Sequence, residues 1–286
     1  MTPETLPVPL DDGLYSGDGV GAWSEDKYAL VGLYDQLFSE GMKNKWDSRV
    51  YIDPYSGPGL VKVRDRNKFL WGSPMLALGV KSPFDKYIFC EENPKSMSGL
   101  RKRVATHFPS ANVEFVPGDC DVEIERICSS IPEGSRTNRV LTFCFVDPYD
   151  LSIKFSTIRR IAEYRFVDFL VLLALHMDAN RNQAYYVNPG NTKIDDFLGK
   201  TDWRARWNGK AQPKTFPRFL AEAYAEQMQS LNYLPVKFET MKQVRSDLNN
   251  LPLYHLALFS RHKLAYKYWE EVLKYSTPQL PLNWID

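Results

Sequence analysis

The sequence predicts an α/β fold organised on a mostly parallel sheet, and three observations lead there. Short apolar runs alternate with helical segments from residue 24 to residue 175. The first of these runs end in turns rich in Asp, Glu, Gly or Pro. The last two apolar runs are joined by a link too short for a helical crossover. Such alternation belongs to parallel strands covered by helices on both faces, and a short link belongs to an antiparallel pair. Composition agrees: 286 residues, 44% hydrophobic and 14% aromatic, fill one large core and exclude a disordered tail or a disulfide-stapled miniprotein. Lys and Arg number 36 against 35 Asp and Glu, a net charge of +1, which excludes a polybasic scaffold but not a local basic patch.

Residues 1–22 carry Pro3, Pro7, Pro9 and four glycines and read as an extended N-terminal arm; residues 23–286 read as a single domain. A helix begins at Ser24, its expected N-cap, with Glu25 and Asp26 at its positive end. Tyr28, Val31, Leu33, Tyr34, Leu37 and Phe38 recur at helical spacing, and Gly41 is the expected stop. A strand at 49–52 runs into Asp53-Pro-Tyr-Ser-Gly-Pro-Gly59. Residues 60–72 read as a basic connection, and 73–80 as a helix with Pro74 in its first turn. A strand at 86–90 ends in Glu91, and Asn93 caps a helix to about residue 107. A strand at 113–116 ends at Gly118-Asp119 and precedes a helix at 122–131. A strand at 141–146 runs into Asp147-Pro-Tyr-Asp150, followed by a helix at 155–164 and the most hydrophobic strand, 167–175. Residues 176–213 are polar and aromatic and read as an insertion with short helices. A helix at 216–231, strands at 236–245 and 253–260, and a helix at 264–275 complete the pattern.

No signal peptide is expected, and the apolar run at 166–175 is far short of a membrane span. Cys90, Cys120, Cys128 and Cys144 form no C-x-x-C pair and read as reduced thiols of a cytoplasmic protein. His107, His176, His255 and His262 lack metal-ligand spacing, so no metal site is expected, and His176 reads as a satisfied loop histidine. Neither a G-x-S-x-G elbow nor a phosphate loop is present, which leaves hydrolase and NTPase chemistry without support.

In an open parallel sheet, ligands bind beyond the carboxyl ends of the strands. Here the first strand ends in Asp53, with Gly57 and Gly59 free to adopt positive φ in the turn. The third glycine of a dinucleotide fingerprint is replaced by Lys62, which disfavours a pyrophosphate cofactor and a nicotinamide-dependent oxidoreductase. Glu91 suits a ribose diol, Asp119 an exocyclic adenine amine, and Asp53 an ammonium group. Three acids at three successive strand ends match the charge pattern of S-adenosylmethionine. Asp147-Pro148-Tyr149 ends the fourth strand and is close to the D-P-P-Y tetrapeptide of amino-methyltransferases, where an acid and a carbonyl orient an acceptor nitrogen and an aromatic ring borders it.

Trp23-Ser-Glu-Asp-Lys27, Tyr51-Ile-Asp-Pro-Tyr-Ser-Gly-Pro-Gly59, Gly72-Ser-Pro74, Glu91-Glu-Asn-Pro94, Gly118-Asp119 and Val146-Asp-Pro-Tyr149 together resemble the three-Cys-motif partner proteins. These are bacterial relatives of class I S-adenosylmethionine-dependent methyltransferases, and the likeness runs from about Trp23 to Arg181. The resemblance implies a Rossmann-like seven-stranded sheet, mostly parallel with a terminal antiparallel pair, and a partner protein carrying a three-cysteine motif. It assigns Asp53, Ser56, Gly57 and Gly59 to the methionine end of the cofactor, with Tyr55 of the same turn among the cofactor-binding residues. Glu91 goes to the ribose, Asp119 to the adenine, and Asp147, Pro148 and Tyr149 to the catalytic site of transfer.

For the substrate, Lys62, Arg64, Arg66 and Lys68 alternate after the glycine turn; in an extended segment all four would face one side, with Trp71 nearby. Arg181, Trp203, Arg204, Arg206 and Trp207 would form a facing wall. The expectation is therefore a cytoplasmic methyltransferase acting on a nitrogen of a nucleic-acid base or nucleotide, RNA or DNA. The alternative is a catalytically silent or partner-dependent cofactor-fold interaction module working with a three-cysteine-motif protein, motivated by the implied partner and by Pro54 in the glycine turn and Asp150 after Tyr149, where the family commonly has leucine and glycine.

Overall fold

The computed structural model describes residues 6–15, 19–64, 66, 68–164, 166–208, 215–246 and 250–275. Parts of the expected arm (1–5 and 16–18), Asp65, the end of the expected insertion (209–213) and part of the last interstrand link (247–249) lie outside the described residues. In chain order the elements are α1 (Ser24–Met42), β1 (Ser48–Asp53), β2 (Leu60–Val63), β3 (Lys68–Trp71), α2 (Ser73–Leu78), β4 (Lys86–Glu91), α3 (Pro94–His107), β5 (Val113–Pro117), α4 (Ile124–Ser129) and β6 (Val140–Val146). There follow α5 (Phe155–Ala162), β7 (Val167–Leu173), a π-helical turn (Leu175–Ala179), α6 (Gln183–Val187), α7 (Lys193–Leu198), α8 (Trp203–Asn208), α9 (Phe216–Ser230), β8 (Lys242–Arg245), β9 (Pro252–Phe259) and α10 (Lys263–Lys274).

Seven strands hydrogen-bond in the order β5-β4-β1-β6-β7-β9-β8. β1 runs parallel to β4 and β6, and β4 to β5, whereas β9 is antiparallel to β7 and β8. The fold is thus the expected Rossmann-like α/β sheet with an antiparallel pair. From β1 the chain builds outward through β4 and β5, then returns to the other side of β1 with β6. That reversal makes the carboxyl end of β1 a topological switch point, the place where open α/β sheets hold ligands.

The chain divides into two compact units, Met1–Phe145 with Leu264–Asp286, and Val146–Lys263. The core of the first unit is aromatic. Phe143 of β6 lies 5.1 Å from the rings of both Tyr34 and Phe38 on α1 and 5.7 Å from Tyr51 on β1. Tyr34 meets Trp269 of α10 edge-on at 5.7 Å. Such offset and tilted contacts fit the ring quadrupoles. In the second unit all of β7 is buried, and Tyr224 of α9 collects Phe155, Phe197 and Phe259 around its ring.

Several expectations are corrected here. Residues 60–72 are not a simple connection: β2 and β3 pair as an antiparallel hairpin, with Lys62 opposite Phe69 and Val63 opposite Lys68. Facing residues share a side of a hairpin, so Lys62 and Lys68 lie on opposite sides and the single cationic face does not form. The cause is the reversal of the chain between Val63 and Lys68, which breaks the alternation that one extended segment would keep. Trp23, not Ser24, occupies the N-cap of α1, and no side chain caps it. Gly41 does not stop that helix. A Cβ there would lie 2.2 Å from the Tyr268 hydroxyl, so the glycine admits α10 instead. The strand expected at 236–245 shortens to β8 behind a 3-10 turn at Phe238–Thr240, closed by the Thr240 hydroxyl donating to the Lys237 carbonyl at 2.8 Å.

Candidate cofactor site and the strand-end residues

Four of the expected cofactor residues meet in one network at the carboxyl ends of β1 and β4. The Ser56 amide and hydroxyl both donate to the Cys90 carbonyl at 3.0 Å. The next amide, Gly57, donates to Glu91 Oε2 at 2.9 Å, and the Asn93 amide donates to Glu91 Oε1 at 2.7 Å. Tyr55 belongs to the same turn and hydrogen-bonds the Cys120 sulfur. β5 joins the network because the Gly118 amide donates to the Glu91 carbonyl at 3.0 Å. The glycine turn is therefore tied to the ends of β4 and β5.

Glu91 is half-buried, and loss of solvation pushes its carboxyl above the ordinary value, while the Asn93 and Gly57 amides pull it back. Each oxygen accepts one backbone hydrogen bond, and a carboxylate offers about four acceptor sites, so capacity for a diol remains. Gly57 has φ +60°, and a Cβ built on it would meet nothing within 4 Å among the described residues. Its outer side is open. Gly59 has φ +76°, but its added Cβ would meet Leu100 at 2.9 Å and Met75 at 3.0 Å, so this glycine serves packing.

Asp53 is placed differently from expectation. Its carboxylate is fully buried, accepting the Ser73 hydroxyl at 2.6 Å and the Tyr55 amide at 3.2 Å. It anchors the turn to the start of α2. Asp119 is exposed, and its side chain accepts the Asp121 amide at 2.7 Å at the turn leading to α4.

Sequence reasoning missed Asp35. It is wholly buried on α1, neither carboxylate oxygen has a hydrogen-bond partner among the described residues, and burial together with Asp53 pushes its pKa well up. Its position was a signal: it falls four residues after Val31 and three before Phe38, inside the apolar stripe. Also missed was Ser73, the partner of Asp53. Burial keeps the nearby thiols protonated, pushing Cys120 up to about 12 and Cys90 and Cys144 higher than their ordinary value.

The proposed substrate cations are partly committed elsewhere. Glu25 on α1 takes both Arg66, at 2.9 Å, and Lys68. Arg64 is exposed and Lys62 partly so. Trp71 donates its indole N–H to the Pro7 carbonyl at 2.7 Å and meets the His107 ring edge-on at 5.4 Å.

Within the second unit, Pro148 is buried, Asp147 is partly exposed, and Tyr149 is 88% exposed. Asp150 is paired with Lys193 at 2.5 Å. Asp178 in the π-helical turn braces this loop, accepting the Leu151 amide at 3.0 Å and the Tyr186 hydroxyl at 2.6 Å. The expected wall in the insertion is corrected. Trp203 is buried and donates to Asp195, which also holds Arg204; Arg206 pairs with Glu226; Trp207 packs on Phe216 and Phe219. These residues brace the unit, and Arg181 alone of the five is exposed. Among the described residues, His176 Nε2 and His255 Nδ1 are buried without a hydrogen-bond partner, so His176 is not the satisfied loop histidine expected.

No protein-family model matches the chain, and no curated protein matches it. Among solved structures it is similar to Trm1 from Pyrococcus horikoshii with S-adenosyl-L-methionine: 8% identity, 93% of this chain and 62% of that one, TM-score 0.46. It is also similar to the O-methyltransferase TomG from Streptomyces achromogenes in complex with SAM: 11% identity, 90% and 93% coverage, TM-score 0.45. A third likeness is to an O-methyltransferase from Bacillus cereus in complex with SAH: 10% identity, 88% and 92% coverage, TM-score 0.43. At these identities and scores the functional reading rests on the site geometry instead. Among the described residues, no helix is long and apolar enough to cross a membrane.

Proposed function

We propose that the chain binds S-adenosylmethionine at the strand-end network and transfers its methyl group to a nitrogen of a nucleic-acid base or nucleotide. The observation that carries the reading is the pairing of an open, positive-φ Gly57 with a half-buried Glu91 carboxylate that retains acceptor sites. The donor and acceptor chemistry fits the group. Glu91 holds the ribose hydroxyls, the Ser56–Gly57 turn gives close approach to the methionine end, and Asp53 acts by fixing that turn through Ser73 and Tyr55. Asp119 is proposed for the adenine amine. Bound there, the cofactor supplies a methyl group on a sulfonium leaving group, so positioning of the acceptor carries most of the rate.

Asp147 and the Pro148 carbonyl, which follow β6 in the chain, are proposed to accept hydrogen bonds from the acceptor N–H and so aim its lone pair. Exposed Tyr149 offers a flat face for a planar substrate. With Asp150 neutralised by Lys193, the added charge that motivated a non-catalytic module is compensated within its own unit. Exposed Arg64 and Arg181 remain as proposed phosphate contacts, together with Lys62. A three-cysteine-motif protein remains a proposed partner, on the sequence resemblance alone.

The test uses tritiated methyl cofactor with RNA and with DNA from a host lacking the gene. Label in either polymer, abolished by Asp147→Ala while S-adenosylhomocysteine affinity holds, is the expected result. No label in any polymer, with or without a co-purified cysteine-motif protein, overturns the enzyme reading.

A further inference from the structure

The N-terminal arm has no part in the function above, yet it is bound to the glycine turn by one buried guanidinium. Arg103 on α3 is 2% exposed. Its Nε and Nη2 fork onto the two carboxylate oxygens of Asp12, at 2.9 and 2.5 Å, and its Nη1 donates to the carbonyl of Pro58. Pro58 stands between Gly57 and Gly59, both at positive φ. A bidentate Arg–carboxylate pair adds geometric specificity as well as strength.

The arm is shaped to deliver Asp12. The Asp11 and Asp12 side chains accept the amides of Gly13 and Leu14 at 2.9 and 3.0 Å, closing two local turns at Gly13, whose φ is +66°. Elsewhere the arm is received by glycines and aromatics. A Cβ on Gly99, one helical turn before Arg103, would lie 2.5 Å from the Leu14 carbonyl, and one on Gly79 would lie 2.7 Å from Leu6. Trp71 donates to the Pro7 carbonyl, and the Tyr15 ring meets Phe69 at 5.4 Å. Partial burial raises the Asp12 pKa, but bonds from Arg103 and Leu14 outweigh it and the net direction is down, which keeps this carboxylate charged at neutral pH.

We propose that Asp12 and Arg103 form a latch that fixes the glycine turn, so that residues 6–15 are a positioning part of the cofactor site. The inference rests on the cofactor reading above for its consequence, but its mechanical half stands apart. Without Asp12, Arg103 would be a buried charge with only a carbonyl for company, an arrangement strongly disfavoured. It must then leave Pro58 or draw in water, and in either case the turn loosens. By reciprocity, a ligand that needs the ordered turn tightens the arm.

Two measurements separate the latch from the cofactor reading. Amide hydrogen exchange of residues 55–60 in the ligand-free protein reads the turn, and titration with S-adenosylhomocysteine reads the site. In Asp12→Asn, exchange at 55–60 rises while that of β7 stays unchanged, and S-adenosylhomocysteine affinity falls about tenfold, within the usual span of coupled sites. Asp12→Glu recovers part of both, which a general loss of stability would not produce. Unchanged exchange at 55–60 overturns the latch. Faster exchange with affinity within about twofold of wild type also overturns it, because a linked site must show the coupling. A wild type that binds no S-adenosylhomocysteine sinks the cofactor reading alone, and the exchange comparison still decides the latch.

Discussion

Asp35 sits in an environment far from what water would offer it. A carboxyl buried without hydrogen bonds loses solvation when ionised, and Asp53 adds like-charge repulsion, so its folded pKa lies well above 3.8. A raised folded pKa means that its contribution to stability is full below pH 3.8 and is lost as pH rises through the folded value. Asp35→Asn, which cannot ionise, is expected to flatten the decline in urea midpoint above that pH. Parallel profiles for the two proteins would contradict this. In the proposed function Glu91 holds the ribose, and Glu91→Ala is expected to weaken cofactor binding about tenfold to a hundredfold, the worth of hydrogen bonds to a charged acceptor. Of the two acids, Glu91 was read in the sequence from its strand end, whereas Asp35 was missed although it lies within an apolar stripe. The difference is that strand-end acids follow a topological rule, whereas a buried acid becomes visible only once the faces of α1 are known.

At the scale of elements, the two positive-φ glycines of the turn differ in the space around them. Gly59→Ala forces a Cβ against Leu100 and Met75 at a positive φ and is expected to cost about 2–4 kcal/mol in denaturant unfolding. Gly57→Asn is different: asparagine tolerates left-handed backbone and the space outside is open, so stability should hold while the side chain occupies the cofactor's approach. Loss of S-adenosylhomocysteine binding with an unchanged unfolding midpoint is the expected pair of results; retained binding would place the cofactor elsewhere. The turn was legible because Gly-x-Gly after a strand has a backbone reason. The β2–β3 hairpin was obscured by its cations, although Val61, Val63 and Phe69 already alternate with them. The bracing of Arg204 by Asp195 and of Arg206 by Glu226 was beyond pattern reading, since ion pairs formed across a fold leave no periodicity.

For the whole molecule, the alternating pattern located the strands and helices well, because each βα unit buries a face that must show in the sequence. The placing of the arm on α3 was not foreseeable, since Asp12 and Arg103 are 91 residues apart. Stability against pH is a global quantity in which two buried groups oppose each other. Burial raises Asp168 to about 7, so it contributes stability that is full below 3.8 and is lost as pH rises through about 7. Burial, with His176 beside it, lowers His255 to about 4, so its contribution is full above 6.5 and is lost as pH falls through about 4. Asp168→Asn and His255→Gln should therefore tilt the melting-temperature profile between pH 4 and 7 in opposite directions. Tilts of the same sign would contradict the assignment.

We propose that the ends of β1 and β4 hold S-adenosylmethionine, and calorimetric titration of wild type, Glu91→Ala and Gly57→Asn with S-adenosylhomocysteine decides the matter. Saturable one-to-one binding by the wild type, weakened in Glu91→Ala and absent in a folded Gly57→Asn, is the result expected. A wild type that takes up no ligand, or two variants that bind as it does, would contradict the claim.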